Sequence, residues 1–204
     1  MSGGPTVLKL GGSFAFSPHL LDWIAAIAAC PGPIVVVPGG GPFAGAVRTA
    51  QAAMGFNDRA AHRMGLLAME QYGCAIASLN ERLTLADCLD AIDRGLVEGR
   101  VPVWLPTRMA LTQASIPQSW NVTSDSLAAW LAGRVGAARL VLVKHVETKE
   151  KVMRTADLIA REVVDEAFAD FLAASGVPAF ILGPGEHGAV RSRVPDAACV
   201  RIIA

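Results

Sequence analysis

The sequence predicts an α/β fold in which a mostly parallel sheet is covered by helices on both faces. Short β-branched and aliphatic runs recur along the chain, stretches of helical period separate most of them, and glycines cluster where the first two runs end. The 204 residues suffice for one well-buried core and are read as a single domain. Hydrophobic residues make up 52% and charged residues only 18%, an apolar surplus large enough to cover a subunit interface, so a homo-oligomer is expected.

In chain order, strands are expected at 7–10, 34–37, 75–79, 101–105, 140–143, 179–182 and 200–203. Helices are expected at 18–29, 42–53, 58–72, 83–94, 124–135 and 163–174. The helix at 124 has a clear start, since Thr123 or Ser124 can cap it and Asp125 places a negative charge in its first turn. In the last helix, Val164, Ala167, Phe168, Phe171 and Leu172 form one apolar stripe. Irregular chain is expected at 106–119 and 184–197, and neither repeats nor low-complexity linkers occur.

Lys plus Arg and Asp plus Glu number 18 each, with no basic run, which argues against nucleic acid as a partner. No stretch of 18 apolar residues occurs and the N-terminus lacks the pattern of a signal peptide, so a cytoplasmic protein without a membrane partner is expected. Cys30, Cys74, Cys88 and Cys199 have no CxxC spacing and are expected as buried free thiols. His19, His145 and His187 lack nearby metal-ligand partners, and no dedicated metal site is expected.

The chemistry-bearing residues fall where strands give way to helices. Lys9 precedes Gly11, Gly12 and Ser13, a turn whose amides can face a phosphate beside a lysine. Gly39, Gly40 and Gly41 follow the second strand, and Pro42 is placed to open a helix whose free N–H groups point back at them. Gly39, Gly41 and Ala44 with Asp58 also fit a loose dinucleotide pattern. That reading is disfavoured, because the fingerprint belongs after the first strand and Asp58 precedes a helix. A Walker P-loop is excluded, since GxxxxGK[ST] is absent. Lys144 directly follows a strand and would project at the same sheet edge as Lys9, with Asp125 placed to hold both ammonium groups. Phosphoryl transfer needs such charge on the moving group more than it needs covalent help. Asp58 and His62, four residues apart on one helical face, are candidate acceptor ligands beside Arg59 and Arg63.

Taken together, Lys9-Leu10-Gly11-Gly12-Ser13, the run Val36 to Gly41, and Thr123-Ser124-Asp125-Ser126 resemble the amino acid kinase family over nearly the whole chain. The resemblance implies a three-layer α/β/α sandwich, ATP with Mg²⁺, an acceptor over the N-terminal half and the nucleotide over the C-terminal half. It implies that Lys9, Asp125 and Lys144 are catalytic, with Lys9, Gly11, Gly12, Ser13, Gly41, Lys144 and Lys149 toward the nucleotide. Gly39, Gly40, Gly41, Asp58, His62, Thr123 and Ser124 fall toward the acceptor. The short chain and the stretches 38–48, 58–64, 120–126 and 163–172 resemble a small member whose acceptor is an aminomethyl-furan-methanol phosphate, converted to its diphosphate. A phosphate monoester is already anionic at neutral pH, with a second pKa of about 6, and needs no strong general base. Asp58 is the candidate partner for the aminomethyl cation. Kinases of another small phosphate or carboxylate, and a non-catalytic nucleotide or oxyanion binder, are the competing readings. The chain departs from the family at 145–151, where a glycine-containing turn is expected and none occurs.

Overall fold

The computed structural model describes residues 3–146, 150–191 and 199–203. Its strands are β1 (Thr6–Leu10), β2 (Ile34–Pro38), β3 (Leu83–Ala86), β4 (Val101–Trp104), β5 (Arg139–Val143), β6 (Val152–Arg154), β7 (Ala179–Leu182) and β8 (Val200–Ile203). The helices are α1 (Leu20–Ala28), α2 (Gly41–Met54), α3 (Asp58–Ala77) and α4 (Leu89–Val97), then α5 (Thr107–Ala110), α6 (Ser124–Arg134), α7 (Thr155–Ala160) and α8 (Phe168–Ser175).

All eight strands join one sheet in the order β3-β4-β2-β1-β5-β7-β8-β6, parallel except at the β7–β8 pair. Successive residues of the central strands enter different cores, as a sheet buried on both faces requires. Val7, Val35 and Leu140 pack with Leu127, Leu131 and Phe168 on one side, whereas Leu8, Val36 and Val141 pack with Trp23, Ile24 and Ile27 on the other. The result is the expected three-layer α/β/α sandwich. Lys9 is level with Val37 of β2 and Leu142 of β5, which brings the carboxyl ends of the three central strands to one edge.

Several stretches depart from expectation: α5 falls in chain expected to be irregular, and β6 and α7 form where no element was expected. Residues 75–79 are not a strand: α3 continues to Ala77, and the strand forms instead at Leu83–Ala86, with α4 starting only at Leu89. Leu66, Met69, Tyr72, Gly73 and Ile76 continue one buried stripe at helical spacing, so the apolar run at 75–79 belongs to the helix. Residues 83–86 have low intrinsic strand signal and are fixed by register with β4, Leu83 opposite Val101 and Ala86 opposite Trp104. The last helix likewise starts later than expected, at Phe168, because residues 163–167 form a turn in which Phe168 N–H donates to Asp165 O at 3.1 Å. Of the four free cysteines only Cys30 is buried; Cys74 is exposed on the outer face of α3, and Cys88 and Cys199 are half-buried. Among the described residues, no helix is long and apolar enough to cross a membrane.

Candidate active site

The first two strands end in turns that meet backbone to backbone. A Cβ on Gly12 would lie 2.4 Å from Gly41 N, and one on Gly39 would lie 2.3 Å from Gly12 N, so only glycine permits this approach. Gly39 N–H donates to Leu10 O at 2.8 Å and Gly11 N–H to Val143 O at 3.3 Å, which ties both turns to the central strands. Gly40 and Gly41 then lead into α2, with Pro42 in its first turn and Gly41 at φ 54° against the Tyr72 ring. Ser13 stands exposed in the short helical turn over 12–16.

Beside these turns, Lys9 reaches inward from β1, Lys144 follows the end of β5, and Asp125 occupies the first turn of α6. Asp125 Oδ2 accepts a hydrogen bond from Lys144 Nζ at 2.6 Å, and Oδ1 lies 2.9 Å from Lys9 Nζ as an ion pair outside hydrogen-bonding angles. Lys9 and Asp125 are each only 4% exposed. Burial opposes ionisation of Asp125, but the two ammonium groups outweigh it and hold the carboxyl below its ordinary range. Lys144 is pushed down to about 8, first by burial and then by Lys9, with Asp125 pulling the other way. Two cations sharing one carboxylate leave a net positive charge at the turns, which suits a ligand rich in phosphate oxygens.

A cavity of about 190 Å³ opens between this cluster and α3. Gly40, Thr123 and Ser124 form its polar end, Leu66, Met69, Val122 and Leu127 its apolar floor, and Arg48, His62 and Trp120 its outer part. The Arg48 guanidinium covers the Trp120 ring at 3.8 Å, and Trp120 Nε1–H donates to Gln51 Oε1 at 2.6 Å. His62 is buried, with Nδ1 3.4 Å from Ser119 O and, among the described residues, no hydrogen-bond partner for Nε2. Burial lowers its pKa, the Ser119 contact acting in the opposite sense, so the free ring is neutral at neutral pH.

The structure thus brings Lys9, Asp125 and Lys144 together, sets Gly39, Gly40 and Gly41 against Gly12, and puts His62, Thr123 and Ser124 on one cavity. Asp58 stays outside it: exposed in the first turn of α3, its carboxylate accepts from Gln51 Nε2 at 2.9 Å. Although four residues from His62, it sits where α3 projects beyond the cavity rim. Lys149 lies outside the described residues.

Some parts of the site were not visible in sequence. A second cavity of about 290 Å³ lies beyond β5 and β7, lined by Val146, Ile181, Glu186, Val200 and the turn Gly183-Pro184-Gly185. Glycines after a strand were the available signal for it. Trp23 Nε1–H supports this turn by donating to Pro184 O at 2.8 Å, while His145 stacks on Phe14 at 4.1 Å beside Lys144. Asp165 accepts hydrogen bonds from Thr123 and Ser126 at the start of α6. Among the described residues no group of His, Cys, Asp and Glu could hold a metal ion, and both Asp125 oxygens face lysines. The residues present therefore do not fit a protein-held Mg²⁺.

An α/β/α sandwich with a cationic, glycine-edged crevice at the carboxyl ends of its central strands is a fold for binding phosphorylated ligands. Residues 4–183 match the amino acid kinase family, and the chain belongs to it. A relative from Methanocaldococcus jannaschii, (5-(aminomethyl)furan-3-yl)methyl phosphate kinase, is 25% identical over 114 residues, which are 56% of this chain and 52% of the relative. The match thus spans about half the length of that relative. Among solved structures, uridylate kinase from Archaeoglobus fulgidus superposes with a TM-score of 0.73 at 18% identity, covering 98% of this chain and 100% of the other. The T. acidophilum isopentenyl phosphate kinase product complex does so with a TM-score of 0.64 at 13% identity, with the same coverage.

Proposed function

We propose that the chain is an ATP-dependent kinase that converts a small phosphate monoester to its diphosphate, with (5-(aminomethyl)furan-3-yl)methyl phosphate as the acceptor. The observation that carries the reading is the buried Lys9–Asp125–Lys144 cluster set between two cavities at one sheet edge. The cavity at Gly40, His62 and Ser124 takes the acceptor and the one at 183–186 takes the nucleotide. Lys9 and Lys144 offset the charge that spreads over the transferring phosphoryl group, and the amides of the abutting glycine turns aid them. Asp125 holds the two ammonium groups side by side, offsetting part of their mutual repulsion. An acceptor phosphate oxygen is already anionic, so no side chain has to remove its proton. The arrival of that dianion favours a protonated His62, whose Nε2 then gains the partner it lacks.

The 190 Å³ cavity suits a single flat ring, and its walls carry no carboxylate. The aminomethyl group of the furan therefore stays in water at the mouth. The same wall favours a second reading, an acceptor without an ammonium group such as isopentenyl phosphate. Both are tested by ADP release with ATP and Mg²⁺ against a panel of the furan phosphate, isopentenyl phosphate, uridylate, acetylglutamate and aspartate. Turnover confined to the furan phosphate supports the first reading, and turnover with another member replaces the substrate. ATP binding without turnover across the panel would remove all five acceptors and favour either an acceptor outside the panel or a binding protein.

A further inference from the structure

Asp165 lies between α7 and α8, yet its carboxylate accepts four hydrogen bonds from the start of α6. Oδ2 receives Thr123 N–H at 2.9 Å, the Thr123 hydroxyl at 2.7 Å and Ser126 N–H at 3.1 Å, and Oδ1 receives the Ser126 hydroxyl. Thr123 precedes the helix, but its hydroxyl does not cap the first turn, because Ser126 N–H, an amide it could accept from, donates to Asp165 instead. A second tie joins the same two segments, from Ala167 N–H to Asn121 O at 3.1 Å. The loop is held in turn by Val164 and Phe168, both buried.

Asp125 stands between the two residues so gripped. Its backbone is fixed on one side through Thr123 and on the other through Ser126, while its carboxylate lies 2.6 Å from Lys144 and 2.9 Å from Lys9. A helix start has a positive pole and surplus donors, and Asp165 satisfies both with one carboxylate. Among the described residues Asp165 itself forms no ion pair.

We infer that Asp165 is a positioning residue for phosphoryl transfer, clamping the first turn of α6 so that Asp125 stays between Lys9 and Lys144. The inference rests on the kinase reading of this site. Its effect is read at Lys144, which is faced by Asp125 from α6 and Lys9 from β1. Without the clamp Asp125 is free to leave Lys144, and losing that carboxylate disfavours the protonated amine.

The test is an NMR titration of the Lys144 side chain, assigned with Lys144→Arg, in ligand-free wild type and Asp165→Asn. Asparagine offers one acceptor oxygen, and its amide group opposes donors. The Lys144 midpoint is expected to fall by about half a unit in Asp165→Asn. Turnover with the furan phosphate falls about 10- to 100-fold through kcat, with KM for ATP little changed, as a displaced catalytic group predicts. An unchanged midpoint overturns the inference whatever happens to turnover, because activity lost without it marks a residue that only supports the fold. Should Asp165→Asn fail to fold, Ser126→Ala is read in its place: a smaller shift in the same direction supports the clamp, and none overturns it. Wild type inactive on the furan phosphate overturns that substrate alone, since the titration needs no acceptor.

Discussion

Two ammonium groups share one carboxylate in a wall of apolar side chains, and that imbalance is the source of the expected catalysis. Lys9→Ala removes a charge aimed at the transferring group, and kcat is expected to fall at least about 10²-fold with the melting curve retained. Unchanged turnover would take Lys9 out of the mechanism. Lys144 titrates at about 8 in the folded protein instead of its ordinary 10.5, and two consequences run in opposite directions. The amine must be charged to act, so kcat/KM is full below a pH of about 8 and falls as pH rises through it. Stability behaves otherwise. Below about 8 both folded and unfolded chains carry the proton, and the folded one bears the cost of burying it. Between about 8 and 10.5 only the unfolded chain still holds that proton, so this residue's contribution to stability rises with pH. Rate profiles and melting curves over pH 7 to 9 therefore separate, and an alkaline loss of activity that tracks unfolding would contradict the assignment. His62→Ala removes the unpartnered ring from the acceptor cavity, and steady-state kinetics are expected to show a raised KM for the acceptor with KM for ATP unchanged.

The abutting turns set the tolerance of β1 and β2 to change. Gly39→Ala would place a methyl 2.3 Å from Gly12 N, a backbone atom that cannot rotate away, and is expected to cost about 1–3 kcal/mol in urea unfolding. Gly45→Ala, inside α2 with nothing within 4 Å, serves as the control and is expected to gain about 0.5–1 kcal/mol from helix propensity. These turns were legible in sequence because glycines cluster after two buried strands whose ends share one sheet edge, and Lys9, Asp125 and Lys144 because each stands next to a strand or helix end. Strand β3 was not legible, since four residues of modest strand propensity acquire their conformation from β4 across the sheet. Nor was the role of Asp165, whose partners Thr123 and Ser126 lie 42 and 39 residues away and meet it only after α8 packs on α6. Asp58 misled for a related reason: helical spacing gives a shared face, but not which part of that face the neighbouring helix covers.

At the scale of the molecule, the two cavities lie on either side of β1, and a ligand in one has no need to touch the other. Hydrogen exchange is expected to slow at 183–186 when ATP is added, while α2, α3 and the start of α6 respond to acceptor; protection appearing first around Arg48 and Trp120 on adding ATP would reverse the assignment of the two halves. ATP at about a hundred times its Kd is expected to add about 2.7 kcal/mol to global stability, seen as a rise in melting temperature. The contact between the glycine turns also bears on how this sequence can drift. Where a side chain is crowded, a smaller neighbour elsewhere can restore the fit, but at Gly12 and Gly39 the obstacle is main chain, which every substitution leaves in place. A library screened for second-site suppressors of Gly39→Ala should therefore return reversion far more often than compensation, making these two positions near-absolute checkpoints on any path through neighbouring sequences.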